Sequence, residues 1–378
     1  MAAVPEGDIP PLRILHVSAP GQAGGLESVI AALTPGLRAR GHGVGLAAMI
    51  GPGGTPPFLD QVAAAGVEVH PIRAGGRAYL RQRRLAMEFA RSWRADVVHT
   101  HGYHADVVVG TAAARAGFAT VSTVHGFTGG DWKNRIYEIL QAHAFRQLSA
   151  VVAVSGPLRA RLAASGVPST RLHLIRNAWG SGAVVMARAE ARQWLGLPRE
   201  EPVVGWVGRL SAEKGPDVFL AAIGLGSWRA SLVGDGRLRA QLERMAAGPP
   251  LSGRVRFHGL IPDAGRLVSA FDVLVLSSRT EGTPIVLFEA MEAGVPIVAT
   301  AVGGVPDVLG PDEALLVQPG DSRLLADAIR RVFDDPAGAA ARASRARARL
   351  AAEFAPGPWL DQYESLYRSL LPDSRRSP

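Results

Sequence analysis

Short β-branched runs alternate with helical stretches along almost the whole chain, and no other feature restricts the fold as tightly. In the first half, Leu12–Ala19, Val44–Met49, Asp96–His101, Thr120–His125 and Ala150–Ser155 are short runs bounded by Gly, His or Ser, which predicts buried parallel strands. Between them, Leu26–Arg40, Leu80–Trp93, His104–Ala116 and Asn134–Gln147 have helical character. After a polar region near Ala187–Pro202 the pattern restarts, with strands expected at Val203–Val207, Ala230–Val233, Val255–His258, Val273–Leu276 and Ile297–Thr300. Repeated βα units of this kind predict an α/β fold of two doubly wound Rossmann-like domains facing across a cleft, with ligands gathered there beyond the carboxyl ends of the strands. The boundary is expected near residues 178–200. A terminal helix over Trp359–Leu371 sets Trp359, Tyr363, Tyr367 and Leu371 four apart, one stripe for packing. The Ala/Arg-rich Ala337–Ala352 reads as a surface helix.

At 378 residues the chain exceeds what one hydrophobic core serves, in keeping with two domains. No run approaches the ~20 apolar residues of a membrane-spanning helix. Met1–Pro11 has acids and prolines where a leader would be basic and apolar, so a cytoplasmic protein is expected. The lack of cysteine excludes disulfides, thiolate metal sites and cysteine nucleophiles. The net charge of +8 sits in one half: residues 1–180 hold 18 Lys+Arg against 10 Asp+Glu, and residues 181–378 hold 23 of each. Such asymmetry fits either a solvated basic face or one that meets an anionic membrane or an acidic acceptor. Nucleic acid is disfavoured, because the basic residues come without interleaved aromatics or a binding motif.

The run Glu281-Gly282-Thr283-Pro284-Ile285-Val286-Leu287-Phe288-Glu289 sets two carboxylates eight positions apart across an expected helix start. Thr283 suits an N-cap and Pro284 the first helical position. Glu281 then stands in the loop at the helix mouth, with Glu289 roughly 7–8 Å further along the axis at about 1.5 Å per residue. Uncapped N–H groups between them favour an anion. A diphosphate joining two sugars has that shape, with hydroxyls at each end and negative charge in the middle. Alone, the pair is also what an ordinary helix carries, one acid in the capping turn and one inside.

The stretch Gly205–Gly215 runs from a strand into a helix and puts Arg209 and Lys214 where a phosphate would dock, one able to fork two oxygens and the other a compact point charge. Lys214 and Lys133 are the only lysines among 41 basic residues, so a lysine beside Gly215 at such a turn stands out. The order G-x4-G-K-[ST] of a P-loop is absent. Gly21-Gln22-Ala23-Gly24-Gly25-Leu26-Glu27 opens the first helix with glycines that bare backbone N–H groups, as a plain βα turn also would. It lacks G-x-G-x-x-G, which disfavours a nicotinamide cofactor.

His99 and His101 share one strand face and could chelate a metal with His104, yet no acidic ligand stands at a convincing spacing. A single polar histidine in the cleft fits better, and His125, ahead of Gly126 and Phe127, is best placed. No D-x-D occurs, so Arg209, Lys214 and helix N-termini would have to neutralise a bound diphosphate without an obligatory metal ion. A tight turn explains Gly234-Asp235-Gly236, while the exposed backbone of Phe257–Pro262 could grip a flat base.

Together these residues resemble the retaining glycosyltransferases of family 4, which have the GT-B fold. The resemblance runs from Gly24-Gly25 through Asp96–Gly102, Thr123–Phe127, Val151–Ser155, Gly208–Gly215, Val233–Gly236, Phe257–Pro262, Glu281–Glu289 and Gly294–Thr300 to Gly303-Gly304, and so covers nearly the whole chain. It implies a retaining, metal-independent transfer of a hexosyl-type sugar from a nucleotide diphosphate sugar, such as a UDP- or GDP-sugar, to a hydroxyl acceptor. The setting implied is glycan or glycolipid biosynthesis, with no cofactor beyond the donor. By the same resemblance residues 1–180, completed by the helix 359–371, form the acceptor-side domain, and residues 181–358 bind the nucleotide sugar.

Carried over position by position, Glu289 would bind the ribose hydroxyls and Glu281 the hydroxyls of the transferred sugar. Arg209 and Lys214 would hold the diphosphate, assisted by backbone at Gly282, Thr283 and Pro284 and at Gly24-Gly25. His125 would orient donor or acceptor, and backbone near Leu260-Ile261 would meet the base. The acceptor is expected to be a saccharide or lipid-linked, and the basic Arg77–Arg84 region makes a peripheral contact at an inner membrane face part of the expectation. One departure is clear: where the family has Pro-Asn-Gly, a hydrophobic residue and Asp, this chain reads Arg176-Asn177-Ala178-Trp179-Gly180, which bears on the domain hinge and on acceptor use. A nucleotide-sugar epimerase and a non-catalytic nucleotide-sugar-binding protein share this fold and stay as alternatives.

Overall fold

Both sheets of the computed structural model are parallel throughout. The structure describes residues 10–21, 24–51, 54–74, 78–126, 132–180 and 185–372, with the backbone alone at 132–137. The chain divides into two bodies. The first runs to His125, resumes as far as Ala178 and takes in the chain from Pro356 onward; the second holds Trp179–Ala355.

The sheet of the first body is built from β1 (Arg13–Ser18), β2 (Gly43–Met49), β3 (Glu68–Ile72), β4 (Val97–His101), β5 (Ala119–Val124), β6 (Ala150–Ala153) and β7 (Leu172–Leu174), in the order β3-β2-β1-β4-β5-β6-β7. In β1 and β4 His16, Ser18, His99 and His101 alternate with Leu15, Val17, Val98 and Thr100, and both sets are buried. Leu15 and Val17 of β1 and Val98 of β4 are fully buried in one cluster with Met87, Ala90 and Trp93 from the Tyr79–Ser92 helix and its end. The terminal helix Pro356–Ser369 lies on this body and buries Trp359, Leu360, Tyr363 and Tyr367. Its two tyrosine hydroxyls meet the sheet, Tyr367 at 2.8 Å from His99 Nδ1 and Tyr363 at 3.0 Å from Thr123 Oγ1.

The second body has β8 (Val203–Val207), β9 (Arg229–Val233), β10 (Val255–Phe257), β11 (Val273–Leu276), β12 (Ile297–Thr300) and β13 (Leu315–Val317), in the order β10-β9-β8-β11-β12-β13. Its core gathers Trp206, Phe219, Leu232, Leu242 and Ile329. The large Trp206 is buried with its indole N–H donating to Ser277 Oγ at 3.1 Å, which removes the cost of an unpaired buried donor.

Three strands lie beyond the sequence reading: β3, β7 and β13. Each is an edge strand of three to five residues and mostly half-buried; Glu68, His70 and Pro71 interrupt β3, His173 interrupts β7, and the apolar run of β13 is only three residues long. The helix expected over His104–Ala116 is broken by a π-helical stretch, Asp106–Gly110, between the short helices Tyr103–Ala105 and Thr111–Arg115. Asp106 is buried there, accepting hydrogen bonds from Thr100 Oγ1 at 2.5 Å and Gln141 Nε2 at 2.7 Å. The terminal helix starts at Pro356, ahead of the aromatic stripe, because proline suits the first helical turn.

Each strand order reverses once, between β1 and β4 in the first sheet and between β8 and β11 in the second. At such a point the connections leave in opposite directions and open a crevice beyond the carboxyl ends of the strands.

Candidate functional site

The loops that leave β8 and β11 flank the reversal of the second sheet, and they are joined by an ion pair. Lys214 Nζ lies 2.7 Å from both Glu281 Oε1 and Oε2. The Glu281 side chain is only 4% exposed against 30% for Lys214, so the carboxylate is held inside and the lysine side chain stays partly exposed. Ser278 Oγ donates to the same carboxylate at 2.6 Å. Below the pair, Arg279 forks onto Asp217 at 2.9 and 2.6 Å and donates to Ala212 O at 2.7 Å, stapling the two loops together.

Glycines permit this closeness. Gly215 has a φ of +63°, and a Cβ there would stand 2.1 Å from Ser277 O. Gly303, at a φ of +52°, lies against the Glu281 carbonyl, which an added Cβ would meet at 1.8 Å. Beside it Gly304 N donates to Gly282 O at 2.9 Å. Only glycine takes up both the left-handed backbone and the missing volume.

The helix begins one residue later than its sequence predicts. It spans Ile285–Ala293, and Pro284, with ψ of 113°, is the N-cap residue rather than the first helical one; Thr283 therefore stands outside the cap. No side chain caps this end. Glu289 lies in the next turn, its carboxyl pushed up to about 7 by burial and then by the charge of Asp263. Gly265 lies flat against it, and an added Cβ would stand 2.5 Å from the carboxylate. Arg209 is exposed in the β8 loop, with no side-chain partner among the described residues. After β10, Gly259 O accepts from Gly234 N at 2.8 Å, Leu260 is exposed and Ile261 is buried.

The departure at Trp179 has a structural role. Its indole N–H donates to the Glu292 carboxylate, its backbone N–H to Phe354 O at 2.8 Å, and its ring lies 6.1 Å from that of Phe288. Trp179 thus braces the helix that carries Glu289.

In the first body, Gly25 opens the helix Gly25–Ala39, and Glu27 Oε1 accepts from Gly21 N at 2.7 Å. A side-chain carboxylate therefore already occupies the first turn; Gln22 and Ala23 lie outside the described residues. His125 follows β5, half-buried, its imidazole pushed down to about 4 by burial. His101 Nδ1 is 3.3 Å from His125 Nε2, and His101 Nε2 is 3.0 Å from His16 Nδ1. His16 has no precedent in the sequence reading; the parallel register that sets it beside His99 brings it in.

The histidine trio is corrected in the same way. His104 turns away to Gln82 Oε1 at 2.8 Å, and the three rings whose nitrogens lie within 4.8 Å of one another are His16, His99 and His101. Both nitrogens of His99 are engaged, by Tyr367 and Thr123, and both of His101 by its neighbours, and among the described residues no carboxylate bonds to any of the three.

A cavity of about 430 Å³ lined by Met186, Arg188, Phe271, Asp272 and Pro296 sits at the amino ends of β11 and β12, away from the Lys214–Glu281 pair, and holds no arrangement suited to chemistry.

Residues 23–178 match the family model described as Glycosyltransferase Family 4, and residues 201–335 match that of Glycosyl transferases group 1. A glycogen synthase of Mycobacterium tuberculosis is 30% identical over 390 residues, covering 91% of this chain and 91% of its own. A 2-deoxystreptamine glucosyltransferase of Streptomyces kanamyceticus is 30% identical over 307 residues, 74% of this chain and 79% of its own. Among solved structures, Anabaena HepE in complex with UDP-glucose superposes with a TM-score of 0.81 at 24% identity, over 95% of this chain and 100% of that one. Sucrose-phosphate synthase from Thermosynechococcus elongatus gives 0.80 at 24% identity, over 95% and 99%. These structural likenesses carry the fold, GT-B. Two sheets of this order, a paired Lys214 and Glu281 at the reversal of the second, and relatives that match along most of both chains lead to one conclusion: this protein is a member of glycosyltransferase family 4.

Proposed function

We propose that the protein transfers a hexosyl-type sugar from a nucleotide diphosphate sugar to a hydroxyl acceptor, with retention and without an obligatory metal ion. The observation that carries this reading is the Lys214–Glu281 pair at the strand-order reversal, where a partly exposed lysine stands next to a buried carboxylate. On this reading Lys214 and Arg209 take the diphosphate and stabilise its charge as the glycosidic bond breaks. The uncapped N–H groups after Pro284, and backbone at Gly282 and Thr283, add to the same grip. Glu281, held by Lys214 and Ser278, receives hydroxyls of the transferred sugar. Glu289, beside the flat backbone of Gly265, receives the ribose, and backbone at Leu260-Ile261 meets the base. His125 and Gly24-Gly25 of the first body serve the sugar and the phosphate. The HepE complex with UDP-glucose, on the same fold, supports a nucleotide-sugar donor.

The acceptor is a saccharide or a lipid-linked one, met in the cytoplasm. The helix Tyr79–Ser92 exposes Tyr79 and Leu80 beside Arg81, Arg83 and Arg84, a surface suited to anionic lipid; Arg77 lies outside the described residues. No helix among the described residues is long and apolar enough to cross a membrane.

Thermal-shift measurements with UDP, GDP, ADP and their sugars identify the donor, since a ligand of the folded state raises Tm. The anomeric configuration of the product and turnover in EDTA then test retention and metal independence. Inversion at the anomeric carbon, loss of turnover in EDTA, or epimerised donor formed without acceptor would each overturn the corresponding part.

A further inference from the structure

Four imidazoles line one face of the first sheet: His16 on β1, His99 and His101 on β4, and His125 just past β5. Three of them form a hydrogen-bonded line, His16 Nδ1 to His101 Nε2 at 3.0 Å and His101 Nδ1 to His125 Nε2 at 3.3 Å. Burial holds all of them neutral, with His16 pushed down to about 3, His125 to about 4, and His99 and His101 well below the usual imidazole range. A neutral ring has one N–H and one lone pair. The line therefore runs one way or the other, because His101 must donate at one end and accept at the other.

The far end decides the direction. His16 Nε2 is buried and without a hydrogen-bond partner among the described residues. If the line ran from His125 inward, that atom would be an unpaired buried N–H; if it runs outward, it is an unpaired lone pair. An orphaned donor is the rarer of the two. We propose that His16 and His101 hold His125 as its Nδ1–H tautomer, so that the ring presents a hydrogen-bond donor beyond the carboxyl end of β5 and cannot accept a proton there. His16 and His101 are positioning residues that act through His125. His99 stands outside the line, its nitrogens held by Tyr367 and Thr123 at 2.8 Å each.

The consequence for chemistry rests on the proposed function, in which His125 meets the sugar. There the ring donates to a sugar hydroxyl or to a developing negative charge and is not a general base.

The tautomer is read directly, without substrate, from long-range proton–nitrogen correlations on the full chain labelled with ¹⁵N-histidine, the His125 signals being assigned with His125→Gln. The expected wild-type result is a protonated Nδ1 and a bare Nε2. In His101→Phe the line is cut, and His125 should move to the Nε2–H form that a free neutral imidazole favours. His101→Asn, whose amide nitrogen replaces Nδ1 as donor, should restore the Nδ1–H form. Transfer should fall roughly tenfold in kcat in His101→Phe, the worth of one hydrogen bond, with the KM for donor little changed and most of the rate regained in His101→Asn. A wild-type His125 protonated at Nε2 would overturn the proposal, and that spectrum needs no variant to fold. An unchanged tautomer in folded His101→Phe, or stoichiometric Zn²⁺ bound by the rings, would overturn it as well. A tautomer change without a rate change would leave it standing and count against His125 at the sugar.

Discussion

Lys214 grips Glu281 at two points, its Nζ 2.7 Å from each carboxylate oxygen, across a separation of 67 residues. Each group serves the other before any ligand arrives. The carboxylate is spared an unpaired burial, and the ammonium is fixed in place.

Removing either partner should therefore affect stability as well as activity. Lys214→Ala is expected to cost about 1–3 kcal/mol, because the buried carboxylate loses its counter-charge and keeps only the hydrogen bond from Ser278. Transfer should fall roughly 10²–10³-fold for the loss of a charge that stabilises the departing diphosphate. The double variant Lys214→Met with Glu281→Gln should regain much of the stability and none of the activity, as read by urea unfolding and kcat/KM. Recovered turnover in that variant would contradict the assignment of the pair.

Glu289 gives a pH dependence of definite sign. Its folded-state carboxyl is raised from an ordinary 4.5 to about 7, so the stability it contributes is complete below 4.5 and is lost as pH rises through about 7. Glu289→Gln should flatten that decline in denaturation curves. Ionisation also makes the carboxylate a better acceptor for ribose hydroxyls, so nucleotide affinity by calorimetry should rise through pH 7 in the native protein and stay level in the variant.

Two glycine substitutions separate backbone from side-chain crowding. Gly303→Ala forces an L-residue into the left-handed region, roughly 1–3 kcal/mol, and pushes its Cβ into the Glu281 carbonyl. A lower Tm and a loss of transfer are expected together. Gly265→Ala meets only the movable Glu289 carboxylate, so nucleotide binding should weaken while Tm changes little. Equal loss of Tm in both variants would count against this account.

Asp106 is a fully buried acid of the first body. Burial raises it to about 6 from 3.8, offset in part by hydrogen bonds from Thr100 and Gln141. Its contribution to stability is present below pH 3.8 and fades as pH rises through about 6. Asp106→Asn should hold the fold at neutral pH as well as the native protein does and remove that slope. Strong destabilisation at pH 7.5 would show that the ionised form is the one the fold needs.

The sequence by itself determined the alternation of strand and helix and the family. The central strands were legible because burial on both faces writes a local, continuous apolar run, as in Val203–Val207 and Val273–Leu276. The edge strands Glu68–Ile72 and Leu172–Leu174, interrupted by charged residues, histidine or proline, write no such run and were not legible. Glu281 and Lys214 stood out for their places beside glycine and proline, yet nothing local joins them. The tertiary structure alone decided that they pair, because β8 and β11 are neighbours in the sheet. It also decided that His16, not His104, completes the buried histidine group, since the register of β1 on β4 is a long-range pairing that no local pattern records.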